Sequence, residues 1–86
     1  MIVRFTKKAQ KYYDDMTESY KEKIMNGIKG LTKESPEGDI KPLQGYSDGR
    51  KRLRIGKYRI IFKNMEENLI EILLILDIGA RGDIYK

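Results

Sequence analysis

The stretch Arg50-Lys51-Arg52-Leu53-Arg54-Ile55-Gly56-Lys57-Tyr58-Arg59-Ile60-Ile61-Phe62 reads as two short strands folded back through Gly56-Lys57. Glycine at the first position of a two-residue turn accepts the positive φ that such hairpins demand. Side chains alternate across a strand. Arg50, Arg52 and Arg54 therefore share one face of the first strand (about residues 50–55), and Lys51, Leu53 and Ile55 share the other. On the second strand, about residues 58–63, Tyr58, Ile60 and Phe62 fall on the apolar side. Six of the first ten residues quoted are cationic, and no acid stands between Asp48 and Glu66. A row of guanidiniums on a rigid sheet can grip several phosphates, each planar fork bidentately, where a lysine offers only a point charge. The competing reading is a solvated strand whose charges discourage edge-to-edge aggregation.

The neighbouring segments build a sheet with two helices. Residues 64–68 read as a turn, and residues 69–77 are almost continuously apolar, as in a strand at the middle of a sheet. Residues 35–49 are rich in Pro, Gly, Asp and Ser and read as a long connection with Leu43 and Tyr46 tucked inward. Before it, Tyr20, Ile24, Ile28 and Leu31 recur at helical spacing after Ser19-Tyr20-Lys21-Glu22, a capping-box spacing, and Pro36 marks the helix end. Thr6 can cap an earlier helix bearing Phe5, Ala9, Tyr12 and Met16, and residues 1–5 form a strand. Tyrosines 12, 13 and 20 read as core residues rather than base-stacking platforms. The expected fold is α+β: an N-terminal strand and a two-helix hairpin packed on one face of a mainly antiparallel four-stranded sheet.

With 86 residues the chain is expected to be one domain, residues 1–86, burying roughly 60–65% of its unfolded surface. It contains no cysteine, which fits a reducing cytoplasm, and no histidine. Those absences remove the usual general base, the usual nucleophilic dyads and most transition-metal sites. Asp14-Asp15 and Glu66-Glu67 lack an obvious third ligand for a magnesium ion, and there is no glycine-rich phosphate loop, so no metal and no cofactor are expected. No apolar run reaches the roughly 18 residues of a membrane span. The formal net charge of +5 favours a polyanionic partner or an acidic protein.

The run from Arg52 to Phe62, the apolar strand after it and the ending Ile78-Gly79-Ala80-Arg81-Gly82-Asp83-Ile84-Tyr85-Lys86 together resemble the RelE/ParE toxin superfamily. The resemblance spans the whole chain. It implies a toxin of a type II toxin–antitoxin pair, made with a RelB-like antitoxin and forming higher-order toxin–antitoxin oligomers. For the RelE-like branch it implies an endoribonuclease (an mRNA interferase) that cuts messenger RNA in the ribosomal A site without metal, through attack of a 2′-hydroxyl on the adjacent phosphate. For the ParE-like branch it implies a DNA gyrase inhibitor on the same fold, without nuclease activity. Matched residue by residue, Arg59, Arg81 and Tyr85 look like the family's catalytic set. Arg50, Lys51, Arg52, Arg54 and Lys57 look like its RNA-binding residues. Many relatives carry histidine where this chain has Ala80, which fits the histidine-free RelE branch.

The chemistry can be tested against the residues themselves. Cleavage of RNA by its own 2′-hydroxyl needs one proton removed, another delivered, and a dianionic phosphorane stabilised. Arginine stays charged and suits only the last task. A phenol titrates near pKa 10 in water, and surrounding cations lower that value and do the same to a lysine, which leaves Tyr85, Lys51 and Lys57 as candidate proton carriers. A non-catalytic RNA-binding module would instead need exposed aromatics among the cations, and only Tyr58 in the basic stretch could serve.

Overall fold

The computed structural model describes residues 1–80. In chain order these form β1 (Ile2–Phe5), α1 (Lys7–Asp14), α2 (Glu18–Leu31), β2 (Asp39–Pro42), β3 (Lys51–Ile55), β4 (Tyr58–Glu67) and β5 (Ile70–Ala80). The strands make one five-stranded mixed sheet in the order β1-β5-β4-β3-β2. Pairing is antiparallel throughout except that β1 runs parallel to β5, with Ile2 opposite Ile72 and Phe5 opposite Ile75. The α+β class and the two-helix hairpin on one sheet face match the expectation, whereas the expected four strands are five.

The extra strand is β2, which lies inside the segment read as an irregular connection. Asp-Ile-Lys-Pro offers one apolar residue and ends in proline, so it carries almost no strand signal. Such a sequence is tolerated at an edge, where a missing ladder donor costs little. Ile40 faces Leu53 across the β2–β3 pair and packs against the core. Leu43 is half-buried as expected, but Tyr46 is exposed rather than tucked inward.

The hairpin through Gly56-Lys57 forms in the expected register, Ile55 opposite Tyr58, with Gly56 at φ +57°. The next hairpin is longer than expected. β4 continues through Glu67, and the turn is Asn68-Leu69, both with positive φ (52° and 68°). Residues 64–67 escape a sequence reading because this end of the hairpin is exposed. No buried face imposes alternation there. Leu69 occupies a backbone conformation that favours glycine and leaves its side chain 90% exposed.

Both helices start at threonines in extended conformation. The Thr6 hydroxyl accepts a hydrogen bond from the Ala9 amide and donates one to the Leu76 carbonyl, so one side chain caps α1 and ties it to β5. Helix α2 begins at Glu18 after Thr17, two residues ahead of the start that the expected capping box gives, and Thr17 makes no side-chain cap. Ala9, Ile24, Ile28 and Leu31 from the helices meet Leu53, Ile60, Phe62, Leu73, Ile75 and Ile78 from the sheet. Truncating any of these isoleucines to alanine should cost about 2–5 kcal/mol. A Cβ at Gly27 would overlap Ile55 Cδ1, so glycine there lets α2 lie close on β3. That contact identifies Leu53 and Ile55 as the helix-covered face and leaves the arginines on the other.

Candidate nucleic-acid interface

Two cross-strand rows organise the face away from the helices. Asp39, Arg54, Arg59 and Gly79 stand in register across β2, β3, β4 and β5. The next row is Lys41, Arg52, Ile61 and Asp77. Directly opposed like charges such as Arg54 and Arg59 repel unless something negative sits nearby. Here it is Asp39. Its carboxylate lies 2.6 Å from Arg54 Nε and 3.6 Å from Arg52 Nη1. Burial works to raise the Asp39 pKa, but the charges of Arg54 and Arg52, the Arg54 hydrogen bond and Lys41 outweigh it, and the group is held below the usual carboxylate range.

A second carboxylate serves the far end of the row. Arg50 donates to Asp48 through Nε and Nη2, at 3.0 and 2.8 Å, and its guanidinium lies 4.1 Å from the Tyr46 ring centroid. Lys63 on β4 reaches the same carboxylate at 3.4 Å. The hydrogen bonds from Arg50 hold Asp48 far below its ordinary pKa, against the opposing effect of burial, and Asp48 raises that of Arg50. The stretch without acids in sequence is therefore matched by acids in space. Arg50, Arg52 and Arg54 form an internally paired array, not a row of free cations.

Arg59 differs from them. It is only 9% exposed, and its Nη1 donates to the Gly56 and Tyr58 carbonyls at 3.4 and 3.3 Å. Among the described residues no carboxylate lies within ion-pair distance of it. A buried guanidinium fixed by two main-chain acceptors, beside the side-chain-free Gly79, is a preorganised positive charge. Lys51 stands on the helix-covered side with Leu53 and Ile55, apart from the arginines. Lys57 sits at the hairpin turn, its Nζ 5.3 Å from the ring centroids of both Tyr20 and Tyr58. Arg81 and Tyr85 lie outside the described residues.

The structure also brings in residues that sequence reading missed. Asp39 and Asp48 come from an edge strand and a loop whose patterns carry no sign of the contact. Tyr20 is 36% exposed, whereas Tyr12 and Tyr13 are half-buried against the core. It meets Tyr58 edge-on, with centroids 5.2 Å apart. Among the described residues no helix is long and apolar enough to cross a membrane, and no three potential metal-ligating side chains gather.

Comparison with known proteins bears on the whole chain. No protein with a curated description matches it in sequence. Among solved structures, the archaeal RelE–RelB complex from Pyrococcus horikoshii contains a chain that superposes with a TM-score of 0.72 at 22% identity, covering 95% of this chain and 96% of that one. The YoeB/ParE toxin from Agrobacterium tumefaciens gives 0.76 at 20% identity, covering 94% and 99%. The toxin–antitoxin complex RelBE2 from Mycobacterium tuberculosis gives 0.71 at 24%, covering 95% and 92%. These likenesses establish the fold. A family model describing the ParE toxin of the type II toxin–antitoxin system parDE matches residues 3–85. The chain belongs to that family, within the RelE/ParE superfamily of toxins from type II toxin–antitoxin pairs.

Proposed function

We propose that this toxin is a ribosome-dependent, metal-independent endoribonuclease that cuts messenger RNA in the A site by attack of a 2′-hydroxyl on the adjacent phosphate. Arg59 carries the reading. It is a mostly buried guanidinium, pinned by hairpin carbonyls and lacking a carboxylate among the described residues, as a charge meant for a phosphorane should be. A donor held in place before the reaction needs no reorganisation as negative charge develops, and one such donor is worth about 10² to 10³ in rate. Arg81 and Tyr85 are proposed to complete the site, Arg81 as a second cation and Tyr85 as the proton carrier. Arg52 and Arg54 would meet the RNA backbone by exchanging Asp39 for phosphate.

The family model supports a second reading, inhibition of DNA gyrase without nuclease activity. One experiment separates the two. The purified protein is added to a cell-free translation system with mapping of RNA 5′ ends, and in parallel to a gyrase supercoiling assay. Message cut within A-site codons, with normal supercoiling, is the expected result. Intact message with relaxed or cleaved DNA would refute the nuclease. A RelB-like antitoxin is the proposed partner, since solved relatives are RelE–RelB complexes. Cytoplasmic action and assembly with that antitoxin into higher-order oligomers belong to the same proposal.

A further inference from the structure

We propose that Tyr20, Lys23 and Lys57 form a subsite for one nucleotide of single-stranded RNA, its base taking the place of a lysine ammonium on the Tyr20 ring and its phosphate held by the lysines. The inference rests on the reading of this toxin as RNA-directed and adds a place where the strand is held outside the cleavage centre. Three observations carry it.

The first is charge. Lys23 Nζ and Lys57 Nζ converge on the same Tyr20 ring, 5.7 and 5.3 Å from its centroid. Neither ammonium has a carboxylate within ion-pair distance among the described residues, unlike Arg50, Arg52, Arg54 and Lys63. An ammonium without a carboxylate partner favours a nearby phosphate, and here two stand at one ring.

The second is rigidity. Tyr12 meets Tyr58 edge-on at 76°, and Tyr58 meets Tyr20 at 69°, so three rings form a ladder from the core to the surface. Tyr20 at the ladder's outer end is partly exposed yet fixed, and a base landing on it loses little side-chain entropy. Aromatic faces accept any base, which makes such a platform specific for unpaired strands and tolerant of sequence.

The third is position. Lys57 lies in the turn whose Gly56 carbonyl accepts from Arg59, and Tyr58 supplies the second acceptor. The platform and the proposed catalytic arginine are thus joined through four consecutive residues of one hairpin.

The test is fluorescence anisotropy of the full-length protein with a labelled, 2′-fluoro-substituted single-stranded oligonucleotide, which cannot be cleaved. Tyr20→Leu should weaken binding about tenfold or more, and Tyr20→Phe should retain it, because stacking needs the ring and not the hydroxyl. Lys23→Ala and Lys57→Ala should each flatten the salt dependence by about 0.7 per phosphate lost. A duplex of the same sequence should bind more weakly and respond little to Tyr20→Leu. Unchanged affinity in Tyr20→Leu overturns the subsite, as does equal binding of single strand and duplex, or failure of the wild type to bind at low salt. Message cleavage, scored separately in the translation assay, tells failure of the subsite from failure of the nuclease reading.

Discussion

Two basic regions of this toxin, the arginine face away from the helices and the lysine pair at Tyr20 on the helix side, differ in one respect: whether the protein supplies its own counter-charge. Arg50, Arg52 and Arg54 alternate along one short stretch of sequence and are paired in space with Asp48 and Asp39. Lys23 and Lys57 are far apart in sequence, meet at Tyr20 and have no carboxylate within ion-pair distance among the described residues. A dense run of cations thus marks where a fold needs to manage repulsion, while free positive charge collects where isolated lysines converge. The paired region must exchange a carboxylate for each phosphate it takes. That makes it more selective and weaker than its charge suggests.

The largest effect should come from Arg59, which belongs to neither class. Arg59→Ala is expected to lower the single-turnover cleavage rate by about 10² to 10³ with little change in ribosome affinity. Arg81→Ala should act similarly. Tyr85→Phe should slow cleavage while leaving binding intact if its hydroxyl moves a proton. Full-rate cleavage by Arg59→Ala would remove the central observation behind the nuclease.

Asp39→Asn tests the comparison directly. Removing that carboxylate's charge releases Arg52 and Arg54, so affinity for single-stranded RNA should rise several-fold. The salt dependence should steepen by about 0.7 for each phosphate gained. Affinity equal to the wild type would mean that the pairing does not restrain the arginine face.

The same carboxylates predict a pH response. Asp39 and Asp48 are held below their ordinary range in the folded state, so their contribution to stability is full above the unfolded value of about 3.9. It is lost progressively as pH falls below that value toward the folded one. The melting temperature of the wild type should therefore fall on acidification from about pH 4, and less steeply in Asp48→Asn. Parallel curves for the two proteins would show that Asp48 takes no part.

The smallest effect falls far from either basic region. Leu69 adopts φ +68° at the second position of the β4–β5 turn, where glycine fits without strain. Leu69→Gly should stabilise the fold by about 1 kcal/mol, a rise of about 4–8 °C in melting temperature, with RNA binding unchanged. A change in binding would extend the interface to the hairpin tip.

What could be read from sequence followed burial. The Gly56-Lys57 hairpin, the apolar stripe of α2 and the interior strand β5 were legible because each has a buried face that imposes a period on its residues. β2 was not, since an edge strand of four residues has too few positions for a period. Glu66 and Glu67 hid the end of β4 because both of its faces are wet there. For the site, the arginines' common face followed from alternation alone. Their neutralisation did not, because Asp39 and Asp48 reach them through tertiary contacts. Tyr20 was misread for the opposite reason: its spacing matches the core stripe of α2, but it lies near the helix start and meets the first residue of β4, Tyr58, which leaves it partly exposed.

The parallel pairing of β1 with β5 has a consequence for how the molecule comes into being. The Thr6 hydroxyl meets a carbonyl 70 positions further along the chain, and the interior residues Leu73, Ile75 and Ile78 arrive with that same late strand. While the polypeptide is being made, β1 has no strand to pair with and the helices have only half of their apolar floor. Closing so long a loop is slow compared with forming the local hairpins. The nascent protein therefore spends its synthesis unfinished, with its first strand an open edge, and becomes competent only in the cooperative step that brings its two ends together.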